Sequence, residues 1–149
     1  MASIPPRDLD RLAGEIRKRI LGLTGRDVAV IITDTEMWFS LGSLDFARGS
    51  SGIEVVSKRL GEPDLHGKPK FGGVDRVAHE IACASALLMG QTSEGIPAVI
   101  MRGYKYVRSE EGISDYQLRS EAIIVAVKET LKHSVRVLGL RWLLGLLVK

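Results

Sequence analysis

Apolar positions along the chain fall into blocks of distinct spacing. Leu9, Leu12, Ile16, Ile20 and Leu23 recur at helical steps behind Pro5, Pro6 and Asp8. Proline is tolerated where a helix begins, so this spacing predicts an amphipathic helix over residues 8–21, closed near Gly22. Asp27 to Thr33 then reads DVAVIIT, a nearly continuous β-branched run that predicts a buried strand over 28–33. Asp34-Thr35 closes it, and polar residues at the end of a buried strand commonly open into a crevice. From Glu36 to Gly73 the pattern is irregular and glycine-rich, with short strands predicted at 44–47 and 53–56.

The strongest helical pattern covers 74–90, VDRVAHEIACASALLMG. Val74, Val77, Ala78, Ile81, Ala82, Ser85, Leu88 and Met89 share one face, mostly of small or slim side chains that let a neighbouring backbone come close. Asp75 is predicted in its first turn, where the helix dipole favours negative charge, and Gly90 suits the position past its end. Residues 96–101, IPAVIM, predict a second apolar strand, and a charged connector runs from Tyr104 to Gly112. Ser114 or Asp115 is placed to cap a helix over 116–133. The tail, VRVLGLRWLLGLLVK, is the most apolar stretch; packing onto the domain or a second subunit is expected, with an interfacial membrane helix as the alternative. It is too short and too arginine-bearing to span a bilayer. The elements together predict a single α+β domain over 1–149: a mixed β-sheet with packed helices, strands 28–33 and 98–101 adjacent, and helix 74–90 laid on them.

Composition narrows the function. A net charge of +3 is small for 149 residues, and the basic residues are interspersed with acidic ones, which argues against a nucleic-acid surface. The single cysteine, Cys83, permits no disulfide within the chain and no cysteine metal cluster, which fits a reducing cytoplasm; it is expected to be a small buried hydrophobe. MASIPPRDLD lacks the apolar run of a signal peptide. No Walker loop, HExxH or triad spacing is present around His66 or His79. Among Asp34, Asp45, Asp64 and Asp75, the pair Asp34 and Asp75 stands where a strand end and a helix start converge in an α/β arrangement. Hard cations such as magnesium and manganese bind one or two such carboxylates and complete their shell with water and phosphate.

Several of these stretches resemble, in order, the motifs of the coenzyme F420 γ-glutamyl ligases, enzymes that extend a deazaflavin coenzyme with glutamate. Val28 to Thr35, VAVIITDT, is similar to their strand and Ser/Thr-Asp-Thr motif. Phe46 to Ile53 resembles their Ala-Ile-Gly-x-x-Gly-Ile run, and Asp64-Leu65-His66-Gly67-Lys68 their Asp-Leu-Tyr-Gly-Arg/Lys. Ala78 to Gly90 is similar to Ala-Asp-Glu-Ile/Leu-Ala-x-x-Ala-x-Leu-x-Met-Gly, and Gly95 to Gly103 to Gly-Ile/Val-Pro-x-Val-x-x-Arg-Gly. The resemblance covers about 5–103 and corresponds to the later part of a longer family chain, leaving 104–149 as a helical C-terminal extension. The family's N-terminal half, which carries much of the nucleotide site, has no counterpart in these motifs.

The resemblance implies a GTP- and divalent-metal-dependent ligase, with magnesium or manganese as the metal, in which a carboxylate is phosphorylated and the amine of L-glutamate displaces the phosphate. It maps metal binding onto Asp34 and Asp75, and it implies a homodimer. The chain departs from the family where x-Gly-Arg-Pro-x-Arg is replaced by Glu36-Met37-Trp38-Phe39-Ser40-Leu41, and where His79 replaces the aspartate of the Asp-Glu pair. Two expectations follow: a ligase subunit working with a separately encoded N-terminal half, or a non-catalytic relative serving as scaffold, regulator or small-molecule-binding module.

Overall fold

Asp8 starts the first helix as its N-cap, its carboxylate accepting the Arg11 N–H at 2.9 Å. The structure is a computed structural model that describes residues 6–38, 42–59, 61–70, 74–117 and 120–139. Helix α1 (Leu9–Thr24) runs through Gly22 and stops at Gly25, whose φ of 69° is the left-handed value a C-cap requires. Strands β1 (Val30–Trp38) and β2 (Gly42–Ser51) form an antiparallel pair; helix α2 (Val77–Met89), a 3-10 turn at Ile113–Tyr116 and helix α3 (Ser120–Leu138) follow. The chain divides into two compact units, 1–116 and 117–149, and the second contains α3.

The α+β class is as the pattern predicts, but the sheet differs in its strands. Among the described residues it is the two-stranded antiparallel sheet β1–β2. β1 does not end at Thr33: it continues through Asp34, Thr35 and Glu36, because Phe46, Asp45 and Leu44 of β2 stand opposite them. Between Ile32 and Thr33 the register shifts, pairing Ile32 with Gly49 and Thr33 with Ala47, so Arg48 is the extra residue of a bulge. The strand predicted at 98–101 is not formed, and it is not the neighbour of β1. Residues 53–56 are turn rather than strand, yet they carry much of the core.

That core is small and built of small side chains. Ala47 of β2, Val55 and Val56 of the turn, Ala78 and Ala82 of α2 and Ile113 form one buried cluster, with Ile31 and Tyr116 packed against it. Ala78 and Ala82 are the buried positions of α2, as its small-residue face predicts. The helix comes close enough for the Ala78 N–H to donate to the Val55 carbonyl at 3.3 Å. On the other side α1 lies against β2 at Gly49, where a Cβ would stand 2.4 Å from the Leu9 carbonyl carbon. Only a residue without a side chain allows that approach.

Asp10 ties three segments of this unit together. Its carboxylate accepts N–H bonds from Ser50 at 2.7 Å and from Ile113 and Ser114 at 2.9 Å each. Burial pushes the Asp10 carboxyl up, but these bonds and one from the Ser114 side chain outweigh it and hold it below the usual carboxylate range.

The C-terminal prediction is displaced. The helix starts at Ser120 rather than 116, and the Asp115 carboxylate accepts from the Gly112 N–H at 2.8 Å. Helix α3 leaves Ile124, Val125, Val127, Leu131 and Val137 exposed. No described helix is long and apolar enough to cross a membrane. Residues 140–149 of the apolar tail, and Phe39 of the departing loop, lie outside the described residues.

Candidate functional site

The start of α2 borders a cavity of about 520 Å³. Its walls come from the turn after β2, residues 59, 62–64, 70 and 75, the first turn of α2 and residues 104–107. The loop 61–70 is shaped by Asp64: its Oδ1 accepts the N–H groups of His66 at 2.8 Å and Lys68 at 2.9 Å, and its carbonyl accepts that of Gly67 at 3.0 Å. Asp64-Leu65-His66-Gly67-Lys68 is therefore a tight turn folded around one aspartate. An isolated bridge between Pro63 and Pro69 closes its base.

The cavity wall is charged with both signs. Asp75, Glu80, Glu54, Glu62 and Asp64 line it together with Lys70, Arg59 and Lys105, with Tyr104 and Tyr106 alongside, and Arg59 is paired with Glu62 at 2.7 Å. Asp75 is not in the first turn of α2, as the pattern predicts, but one residue before the cap Arg76. Its carboxylate is salt-bridged to the Lys70 ammonium, so a cationic group already sits against it. Glu80 is the acidic residue of the first turn.

Asp34 lies elsewhere in the pattern of contacts. It is an exposed mid-strand residue of β1, not a strand end, and its Oδ1 accepts the Thr35 N–H at 3.0 Å. The cavity lining includes Asp75 and not Asp34. Among the described residues, no group of three or more His, Cys, Asp or Glu side chains is gathered to hold a metal ion. Asp34 and Asp75 are hard carboxylates of the kind a divalent cation takes, but they do not line one cavity, and Asp75 is already paired with Lys70.

A second polar cluster sits beneath Thr35, the cross-strand partner of Asp45. The Thr35 hydroxyl donates to Asp45 Oδ1 at 2.7 Å, and the Gln91 side-chain amide donates to the same oxygen at 2.9 Å. Asp45 is buried, and the Cys83 thiol donates to its backbone carbonyl at 3.1 Å. Cys83 is thus half-buried and hydrogen-bonded, rather than the buried hydrophobe expected. Gln91 follows α2 in a polar turn, and its spacing from Asp45 in the sequence carries no signal of the contact.

His79 faces β2. Its Nδ1 accepts the Ala47 N–H at 3.2 Å, and its ring meets Phe46 edge-on with centroids 5.5 Å apart. Burial, then the charges of Arg76 and Arg48, push its pKa down. The ring is held neutral, with Nδ1 as acceptor and the proton on Nε2.

Most of these residues, though not 104–107 of the cavity wall, lie inside a stretch with known kin. A sequence profile for F420-0:Gamma-glutamyl ligase matches residues 1–103. The chain belongs to that family. The F420-0:γ-glutamyl ligase match includes the Asp34-Thr35 strand, the Asp64 turn and α2, and stops before the 3-10 turn. The Coenzyme F420:L-glutamate ligase of Archaeoglobus fulgidus is 44% identical over 119 residues, covering 79% of this chain and 47% of the relative. That of Methanothermobacter thermautotrophicus is 41% identical over 116 residues, covering 76% and 46%. The Methanopyrus kandleri protein is 45% identical over 101 residues, covering 67% and 40%. The chain therefore spans about half the length, or less, of the relatives it matches.

Proposed function

We propose that this chain supplies the later half of an F420-0:γ-glutamyl ligase, joining L-glutamate to a deazaflavin coenzyme at the expense of GTP. The observation that carries the reading is the cavity at the start of α2, where Asp75 and Glu80 stand with Lys70, Arg59 and Lys105 inside the family-matched span or directly after it. The cations suit phosphate oxygens, and the carboxylates suit a divalent ion or an ammonium. As the resemblance maps it, magnesium or manganese would be held by Asp34 and Asp75 together with phosphate oxygens, which requires Asp75 to release Lys70 and Asp34 to reach a cavity it does not line. It would neutralise phosphate charge when bound. The side chains of the chain itself bind and orient: Lys70 and Arg59 place anionic groups, and the Asp64 turn holds the wall in position. The cytoplasm is the proposed location, and a homodimer the proposed assembly of the complete enzyme.

Isothermal titration of the full chain with manganese and GTP tests this reading. Saturable heat that falls at least tenfold in affinity in Asp34→Asn and Asp75→Asn is the expected result. Heat unaffected by either substitution rules out these two residues as ligands.

A second reading has its own support. His79 stands where the family has an aspartate, and its Nδ1 lone pair is spent on the Ala47 N–H. Lys70 likewise occupies the Asp75 carboxylate. We infer from these a non-catalytic alternative, in which the fold serves as scaffold, regulator or binding module. Glutamate addition to the coenzyme, followed by mass spectrometry, separates the two: product made by this chain alone eliminates the scaffold.

A further inference from the structure

Residues 96–101 carry the side chains of a buried strand without its surroundings. In an extended conformation Ile96, Ala98 and Ile100 would point one way and Pro97, Val99 and Met101 the other, so both faces are apolar. A strand apolar on both faces belongs inside a sheet covered on both sides. Here Ile100 is 78% exposed, Met101 46% and Ile96 43%. Among the described residues, no hydrogen bond engages the backbone of 96–101, which runs as irregular chain. The conflict between side-chain pattern and environment is local: Ala82, one element earlier, is completely buried.

The neighbouring surface is unfinished in the same way. Leu87 and Leu88 at the end of α2 are 87% and 61% exposed, although they too sit in the family-matched span. A shallow hollow of about 330 Å³ joins the end of α2 to the segment, lined by residues 89–92 and 94–97, Thr92 and Glu94 included. The relatives contain about as much chain again as this one matches. That length is enough for a sheet with an edge to offer.

We propose that residues 96–101 are an interaction strand, adding in extended form to the sheet edge of the family half that this chain does not span, with Leu87 and Leu88 covered by the same partner. The inference rests on the ligase-half reading and specifies its docking surface. Backbone N–H and C=O groups from Ala98 to Met101 form the ladder and give affinity, while Val99, Ile100 and Met101 enter pockets of the partner. Pro97 lacks an N–H, so the ladder begins after it.

The test mixes the full chain with the part of the Archaeoglobus fulgidus relative that it does not match, expressed as a separate polypeptide. Sedimentation velocity is expected to show a complex, and amide exchange at Val99, Ile100 and Met101 is expected to slow at least tenfold within it. Ile100→Lys changes an exposed residue, so the free chain stays folded by circular dichroism, and association is expected to weaken at least tenfold. Ala98→Pro, which deletes a ladder donor, is expected to do the same. Met37→Lys, on an exposed β1 residue, is expected to bind as the parent does. A complex that forms with unchanged exchange at 98–101 and full tolerance of Ile100→Lys overturns the docking surface while leaving the ligase-half reading standing. No complex at micromolar concentrations overturns both. Slowed exchange in this chain alone at high concentration, with self-association, assigns the strand to a second copy and also overturns the proposal.

Discussion

His79 Nδ1 accepts the backbone N–H of Ala47 across the gap between α2 and β2, at 3.2 Å. The bond falls at the bulge, where Arg48 interrupts the ladder. A side chain thus replaces a strand as the partner of a backbone donor, and α2 is pinned to the sheet at the point where the sheet is least regular.

The contact gives a pH dependence. The folded protein keeps the imidazole neutral to lower pH than the unfolded chain does, chiefly through burial. The unfolded state therefore binds the extra proton first, and stability, complete above about pH 6.5, declines as pH falls below it. His79→Asn keeps an acceptor near the Nδ1 position and is expected to flatten this decline. His79→Leu is expected to lose about 1 kcal/mol at neutral pH as well. Urea denaturation at pH 7.5 and 5.5 checks both.

Asp10 is expected to matter more. Asp10→Asn leaves one acceptor oxygen and turns an amide NH₂ toward N–H donors from Ser50, Ile113 and Ser114. Loss of charge-assisted bonds of this kind costs about 3 kcal/mol. The depressed carboxyl also means that the stabilisation is complete above its ordinary pKa and disappears as pH falls through the folded value. Asp10→Asn should flatten the acid limb of a stability–pH curve, while the parent loses stability there.

Gly49→Ala places a Cβ 2.4 Å from the Leu9 carbonyl carbon and oxygen, both backbone atoms. Neither can rotate away, so α1 must shift. A loss of about 3 kcal/mol is expected from such overpacking, read as a lowered thermal midpoint.

Ser50→Ala should do the reverse. The Ser50 hydroxyl is buried and, among the described residues, has no hydrogen-bond partner. Removing an unsatisfied buried oxygen is expected to raise stability by about 1 kcal/mol, measured by the same denaturation.

The parts of the fold legible in the sequence are those set by local chemistry. Asp8 and the apolar steps from Leu9 to Leu23 specify α1, and the small face of α2 specifies its burial at Ala78 and Ala82. The extent of β1 was not legible, because Asp34, Thr35 and Glu36 are polar and join the strand only through partners on β2. Residues 96–101 show the opposite: the strand pattern is plain, but strand formation needs a neighbour that the described residues do not offer. Of the site, the motifs marked the Asp64 turn and the start of α2. The Thr35–Asp45–Gln91 cluster was hidden, since it depends on hairpin register and on a turn 46 residues from Asp45. The two carboxylates chosen for a cation illustrate the same limit, because shared motifs do not say which cavity each residue lines.

The Asp10 knot has a consequence for how the protein is made. Two of its donors lie 103 and 104 residues downstream, beyond the family-matched span. A nascent polypeptide can form α1 and the hairpin as they emerge, but that carboxylate stays short of partners until Ser114 has cleared the ribosomal exit. Final closure of this unit therefore awaits a segment translated after all of the motifs that define its ancestry.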